Sequence, residues 1–510
     1  MQQSALFLDR DGTLIEDVGH LADINKIRFI PGVFKTLRKL QQRYSLFVVS
    51  NQSGIAQGLL SQEEVETVNR HIDSALQAEG IKIIKWYICP HSRADSCSCM
   101  KPQPGFLQQA ADEFGIALTS SFVIGDHPHD PATADAVGAF GLYVLTGHGM
   151  QHLPELPYER IVFHNLPAAG EWIMQHPHAR LDLEREVELA AKALQAGKLA
   201  VFPTETVYGL GADALNPDAV ASIFEAKQRP LHDPLIVHVA DTEQVESLVE
   251  HIPDKARRLM QHFWPGPLTL VFPKSSRVPD IVTAGNGTVA IRMPANPLAL
   301  QLIRTAGVPV AAPSANLFGR TSPTTAGHVQ KQLAGSYTAL IDGGTCRVGV
   351  ESTVLSLTGE IPMVLRAGGL AQEEIEELIG PVISRSELPA QYDGPGMLPD
   401  HYAPTTPLRL VEDISVYMDS PEIGKLCFQN CSEPASETAG AYKTTETSTG
   451  AGKIRVLSPR GNLHEAAINL YHAIQELDAL GLELIVAETA PEQGLGRAIN
   501  DRLQKAASKE

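Results

Sequence analysis

The chain repeatedly runs through a short apolar stretch that stops abruptly in a cluster of polar side chains. Residues 5–8 (Ala-Leu-Phe-Leu) give way to Asp9, Arg10 and Asp11, residues 46–49 to Ser50, Asn51 and Gln52, and residues 121–124 to Gly125 and Asp126. Amphipathic stretches lie between them: residues 63–79 put Val65, Val68, Ile72, Ala75 and Leu76 on one helical face. Alternating strand and helix predicts an α/β fold, and in such sheets ligands collect beyond the carboxyl ends of the strands. At 510 residues the chain is longer than one core supports, so several domains are expected.

With 59 acidic against 41 basic side chains and a net charge of -18, broad nucleic-acid or anionic-membrane binding is disfavoured. No apolar run approaches the roughly 20 residues of a membrane span, and residues 5–11 lack the basic-then-apolar pattern of a signal peptide. The expected location is the cytoplasm. Cys89, Cys97 and Cys99 fall close together, and Cys89-x-His91-x5-Cys97-x-Cys99 offers three sulfurs and one imidazole at a spacing that suits tetrahedral structural zinc. Asp9 and Asp11, two residues apart at a strand end, project the same way and are a candidate divalent-cation pair.

Asp9-Arg-Asp11-Gly-Thr13, Ser50, Lys101 and Asp126, in that order, resemble the haloacid-dehalogenase superfamily of aspartate-nucleophile phosphatases. The resemblance implies a Rossmann-like domain over residues 1–178. It makes Asp9 the nucleophile and Asp11 the general acid and base, gives Ser50 and Lys101 the transferring phosphoryl group, and assigns magnesium to Asp9, Asp11 and Asp126. The zinc-type loop before Lys101 is similar to the subgroup containing heptose 1,7-bisphosphate and histidinol phosphatases. That likeness implies substrate contacts at Asp17, His20, Asn51, Gln52 and Ser53. Two positions depart from the heptose pattern: Met100 stands where arginine is usual, and His127 where lysine is usual.

Residues 201–211 (Val-Phe-Pro-Thr-Glu-Thr-Val-Tyr-Gly-Leu-Gly) read as a buried strand followed by three hydroxyls on alternate residues, Thr204, Thr206 and Tyr208. On a strand those hydroxyls would share one face and bind a small anionic ligand. Downstream come Lys227-x-Arg229-Pro230, a cation pair suited to a polyphosphate, and strands ending in His238, Arg292, Ser314 with Asn316, and Arg366, with Ser352 opening another. Thr288 and Arg292 fall on one strand face. There is no nucleophile triad, Walker loop or dinucleotide fingerprint, which fits catalysis by positioning.

Residues 182–385 resemble the YrdC-like threonylcarbamoyl-AMP synthase family, through the stretch ending at Gly211, Lys227-x-Arg229 and Ser314-x-Asn316. The resemblance implies a twisted α/β domain that condenses L-threonine, bicarbonate and ATP, with magnesium accompanying the nucleotide. It places Lys227, Arg229, Asp233, Thr288, Ser314, Asn316, Ser322 and Arg366 on ATP, and Thr206, His238, Arg292 and Ser352 on threonine. In the long form of the family, residues 386–405 correspond to a loop over the active site, with Tyr402 near the nucleotide. Residues 406–510 correspond to a small Rossmann-like C-terminal domain. Residues 432–453 lack periodicity and read as a loop.

The expected whole is a two-enzyme fusion acting on small molecules, whose adenylate product passes to the machinery that modifies tRNA. A carbamoyl-adenylating enzyme with another acceptor and an RNA-binding module are the alternatives; the acidic charge disfavours the second.

Overall fold

The computed structural model describes residues 3–384, 401–417, 420–429 and 453–507, and forms two compact units that part between Asp182 and Leu183. Residues 386–400 of the expected loop and residues 432–452 lie outside the described residues. None of the described helices is long and apolar enough to cross a membrane.

In the first unit, β1 (Ala5–Leu8), β2 (Ser45–Asn51), β3 (Ile83–Cys89), β4 (Phe122–Gly125), β5 (Phe140–Val144) and β6 (Val162–Phe163) form a parallel sheet in the order β3-β2-β1-β4-β5-β6. Every residue of β1 is buried, and Leu6 is paired with Leu46 on one side and Phe122 on the other. A strand enclosed on both faces needs an unbroken apolar run, and this is why Ala5–Leu8 carries no alternation. The order reverses at β1, so Asp9 leaves the sheet at its topological switch point. Helix Gln62–Ala78 starts at a capping box between Ser61 and Glu64 and buries Val65, Val68, Ile72 and Leu76, the predicted face.

The second unit carries two sheets. The strands of the larger are β7 (Ala200–Phe202), β8 (Gly209–Asp213), β9 (Ile236–His238), β10 (Leu268–Pro273), β11 (Thr288–Arg292), β12 (Val310–Ala311), β13 (Ala339–Leu340), β14 (Thr353–Ser356), β15 (Met363–Arg366) and β16 (Ile383–Ser384). They form one mixed sheet in the order β13-β7-β8-β12-β9-β11-β10-β14-β15-β16. Leu210, Val237, Leu270, Ile291 and Leu355 build its core. The smaller sheet, β17 (Leu408–Leu410), β18 (Ile423–Cys427), β19 (Ile454–Val456) and β20 (Leu484–Ala487), is parallel in the order β17-β20-β18-β19. Helices Leu463–Asp478 and Gly496–Ala507 pack on it through Leu470, Ile474, Ile499 and Leu503. All three sheets are thus of the α/β kind.

Two expectations need correction. Residues 203–208 are not strand: β7 stops at Phe202, and the chain turns before pairing antiparallel as β8 from Gly209. The Thr204 and Thr206 hydroxyls still lie together, 2.8 Å apart, but they are held by the turn: the Thr204 hydroxyl donates to Val207 O at 2.6 Å and the Tyr208 hydroxyl donates to Gly344 O at 2.7 Å. Pro203 cannot donate to a ladder, and the local Thr204 bonds satisfy the backbone instead. The cysteine pattern reads as a metal site rather than a disulfide framework, yet Cys427 is disulfide-bonded, while Cys89, Cys97, Cys99 and Cys346 are free.

The loop ahead of Glu351 lies directly on helix Leu463–Asp478. Gly349 has φ +79°, and a Cβ there would sit 2.3 Å from both Ala467 O and Ile468 Cα. Neither backbone position can yield easily, and the left-handed conformation adds its own penalty. Gly349→Ala is expected to destabilise the second unit by roughly 2 kcal/mol or more, read as a lowered denaturation midpoint.

Candidate active sites

At the switch point of the first sheet, Lys101 Nζ lies 2.7 Å from Asp9 Oδ1 and 2.5 Å from Asp130 Oδ1. Asn51 sets this geometry by spanning the Lys101 backbone, accepting from its N–H at 3.0 Å and donating to its carbonyl at 3.2 Å. Burial, opposed by Lys101 and reinforced by Asp130, raises Asp9 to about 6. Burial, Asp9 and Asp130 raise Asp126 well above its ordinary value. Lys101 stays a firm cation: burial lowers it, but Asp130 and Asp9 outweigh that and raise it.

The carboxylates whose oxygens converge are Asp9, Asp126 and Asp130, all within 4.8 Å of one another. This revises the expected magnesium set, because the Asp11 carboxylate is held by Arg10 at 2.8 Å and by Gln52 Nε2 at 3.0 Å. Asp130, which the sequence reading missed, is spent on Lys101 and on the His127 N–H at 3.1 Å. Asp9 and Asp126 could hold a divalent ion, being hard oxygen donors of the kind it requires.

Gln52 also donates to Ser50 Oγ at 3.0 Å, so the two lie together at the site. Asp17 Oδ2 is 3.1 Å from His148 Nδ1, and His20 stands over Gly54, where an added Cβ would meet its Nδ1 at 2.8 Å. The segment holding His20 thus lies against the one that follows Asn51 and Gln52. Ser53 instead accepts from Gln57 at 3.3 Å within its own turn. His127 stacks near His129 and His152, with ring centres 4.2 and 4.5 Å away. Burial and then His129 lower its imidazole to about 4, so the usual lysine is replaced by a neutral ring.

The zinc-type cluster is closed. Cys89 lies 3.7 Å from Cys97, Cys99 lies 3.3 Å from Cys89 and 3.4 Å from Cys97, and His91 Nδ1 lies 3.3 Å from Cys99 and 3.6 Å from Cys89. A tetrahedron with Zn–S near ~2.3 Å and Zn–N near ~2.0 Å has edges of about 3.5–3.8 Å, close to what these donors show.

In the second unit a cleft is walled by residues of the 204–209 turn, by β9, β11 and β15, and by His401 and Tyr402. It gathers Thr206, Arg229, His238, Arg292, Ser314, Ser352, Arg366 and Tyr402 of the predicted set. Arg292 donates to Thr206 Oγ1 at 2.8 Å and to Glu205 Oε1 at 2.5 Å. Glu205 is a buried partner quoted in the sequence stretch but given no role there. Burial and then Arg292 push His238 down to about 3, so its ring is neutral, and its Nδ1 has no hydrogen-bond partner. Arg366 donates to Ser352 O at 2.9 Å, and Ser352 Oγ sits 2.8 Å from Thr269 Oγ1. Asp233 pairs with Arg229 at 2.8 Å and supports it.

Five of the predicted residues do not wall the cleft, Asp233, the partner of Arg229, among them. Lys227 donates to Ser314 O at 2.5 Å and also to Asn316 O, because helix Pro217–Lys227 ends with that side chain buried against the turn. Asn316 Nδ2 donates to Leu317 O and Arg320 O, leaving Oδ1 buried without a partner. Thr288 shares a face with Arg292 but opens β11, four residues and about 13 Å along the strand from Arg292. Ser322 Oγ donates to Glu351 Oε1 at 2.5 Å.

Glu351, adjacent to the predicted Ser352 and overlooked, also binds Tyr471 and Arg502, whose OH and Nε lie 3.1 and 2.7 Å away. Nothing local in the sequence signals this, since the partners come from helices near the C-terminus.

Fold and sites define two enzymes on one chain, a phosphatase and a synthase. Residues 192–368 match the family described as telomere recombination, residues 370–508 the threonylcarbamoyl-AMP synthase C-terminal domain, and residues 98–167 the HAD-hydrolase-like family. Threonylcarbamoyl-AMP synthase of Bacillus subtilis is 46% identical over 329 residues, covering 63% of this chain and 93% of the relative. A solved structure of Pyrococcus abyssi Sua5 complexed with L-threonine has a TM-score of 0.56 and 41% identity, covering 63% of this chain and 94% of that one. D-glycero-beta-D-manno-heptose-1,7-bisphosphate 7-phosphatase of Photorhabdus laumondii is 38% identical over 153 residues, 28% of this chain and 81% of the relative. The chain therefore belongs to the threonylcarbamoyl-AMP synthase family, with a HAD-type phosphatase fused ahead of it.

Burial raises Glu351, but Arg502, Arg366 and Ser322 outweigh it and bring the carboxyl from the usual 4.5 down to about 2. A depressed folded value stabilises the fold fully above the ordinary carboxyl range, and that contribution disappears as pH falls from about 4.5 to about 2. Glu351→Gln is expected to flatten this acid limb, measured as unfolding free energy against pH over that window.

Proposed function

We propose that residues 182–510 condense L-threonine, bicarbonate and ATP into threonylcarbamoyl-AMP and pyrophosphate, and that this product passes to the machinery that modifies tRNA. The observation that carries the reading is the single cleft in which Arg292 and Thr206 meet beside Arg229, Ser314 and Arg366. Arg292 pairs with the threonine carboxylate and Thr206 fixes its approach, while neutral His238 supplies a hydrogen bond without adding charge. Arg229 and Arg366 take the nucleotide phosphates and stabilise the charge that builds as pyrophosphate departs. Tyr402 closes over the nucleotide. Magnesium, arriving with ATP, would neutralise further phosphate charge.

The threonine assignment is tested on Thr206→Val with ATP and bicarbonate saturating. The apparent threonine KM is expected to rise at least about tenfold, since a buried guanidinium loses its hydroxyl partner. An unchanged KM would refute the role of Thr206.

The first unit, residues 1–178, is proposed to hydrolyse a phosphomonoester of a sugar bisphosphate, the heptose compound being favoured by the Photorhabdus relative. Asp9 attacks phosphorus, Lys101 and Ser50 hold the phosphoryl oxygens, and Asp11, steadied by Arg10 and Gln52, handles the proton of the leaving alcohol and then of water. Asp9 and Asp126 would hold magnesium, whose part is to neutralise charge between carboxylate and phosphate dianion. Cys89, His91, Cys97 and Cys99 would hold zinc, which braces the loop leading to Lys101. With Met100 and neutral His127 in place of two cations, the second phosphate of the substrate is met with less charge than in the heptose pattern.

Asp9→Asn is expected to cut phosphate release from heptose 1,7-bisphosphate by at least about a thousandfold while leaving threonine- and ATP-dependent pyrophosphate release intact. Undiminished phosphate release would refute the nucleophile assignment.

A further inference from the structure

Among the residues that wall the synthase cleft, Glu351 is the acidic one, set among Arg229, Arg292 and Arg366. A carboxylate facing a cleft for a polyphosphate works against binding unless its charge is held elsewhere. The structure shows where it is held. Glu351 Oε1 accepts from Ser322 at 2.5 Å, both oxygens accept from Tyr471 OH at 3.1 Å, and Oε2 accepts from Arg502 Nε at 2.7 Å. Tyr471 lies on helix Leu463–Asp478 and Arg502 on helix Gly496–Ala507.

Arg502 is fully buried and also touches the lid residue. Its guanidinium stands 5.0 Å from the centre of the Tyr402 ring, and that ring is 5.9 Å from Tyr471. Val207, Tyr402 and Tyr471 form a small apolar cluster of their own. Tyr402 has φ +68°, a backbone conformation that a tyrosine keeps only when its surroundings hold it there. One side chain from the last helix thus pairs with the acid in the wall and supports the ring in the lid.

We propose that Arg502 is a positioning residue for the synthase reaction: it is the counter-ion that keeps Glu351 off Arg366 and the backstop that sets the pose of Tyr402. The proposal rests on the synthase reading. Without Arg502, the cation on the cleft wall that attracts Glu351 is Arg366, since Arg366 already acts on that carboxylate through space. Arg366 would then turn from ATP towards Glu351, and the nucleotide would lose a cation and face a carboxylate. Threonine is affected less, because Arg292 has its own acid in Glu205.

The test uses the full chain and follows pyrophosphate release with ATP and threonine varied separately. Arg502→Met is expected to raise the ATP KM at least about tenfold and the threonine KM less than about threefold. Adding Glu351→Gln to Arg502→Met removes the unpaired charge and should bring the ATP KM back to within about threefold of the parent. A residue that only joined two parts of the fold would give losses that add, so a double variant as impaired as Arg502→Met overturns the proposal. An ATP KM within about twofold of the parent for Arg502→Met also overturns it. Should Arg502→Met lose its folded second unit, Arg502→Lys is read in its place. It keeps the charge and should hold the ATP KM within about threefold, and a tenfold rise would refute the counter-ion role. The parent chain separates the two failures: no threonine-dependent pyrophosphate release from it would refute the synthase reading itself.

Discussion

A charged side chain stays inside a protein only where an opposite charge or a full set of hydrogen bonds meets it, and both sites of this chain are arranged around that requirement. Lys101 stands between Asp9 and Asp130, Arg229 against Asp233, Arg292 against Glu205, and Arg502 against Glu351. In each case one member faces a site or its wall and the other holds it in place. Taking one partner from such a pair costs about 3–5 kcal/mol, more than most packing defects, so the partners are as constrained as the residues they serve.

The pairs also account for how far the sequence could be read. Asp9, Ser50 and Asp126 were legible because each lies at the end of an apolar run that must be a buried strand, and the carboxyl ends of adjacent parallel strands necessarily converge; Lys101 was legible by its place after the cysteine cluster. The zinc-type loop was legible because its four donors fall within eleven residues. Arg292 and His238 were legible for the same reason as Asp9, since they end the parallel pair β11 and β9, whereas Ser314 follows β12, which runs antiparallel to its neighbours. What stayed hidden, Asp233 apart, was the second member of the pair. Asp130 looked like one more polar residue in a loop, and Glu205 sat unassigned between two threonines. Tyr471 and Arg502 lie 120 and 151 residues beyond Glu351, and no local pattern announces a contact at that distance.

The errors share a cause. The hydroxyls of 204–208 were given strand periodicity, but Pro203 ends the strand and Thr204 bonds within its own turn, so the segment is held by its own hydrogen bonds and not by a ladder. Thr288 was grouped with Arg292 because both lie on one face of a strand, which fixes the side of the sheet and says nothing of the distance along it. Asp11 was placed on the metal because it projects like Asp9, whereas Arg10, fully buried, had first claim on it.

Lys227 carries a consequence for the nucleotide site. Its ammonium caps the carbonyls of Ser314 and Asn316 while its own carbonyl accepts from the Phe318 N–H at 2.9 Å, so one residue splints the turn from both sides. Burial and then Arg229 press its pKa well below the lysine range, as suits a group valued for its hydrogen bonds more than for its charge. In this structure the Lys227 side chain is therefore a piece of scaffolding, and it casts the outline of the cleft wall at Ser314.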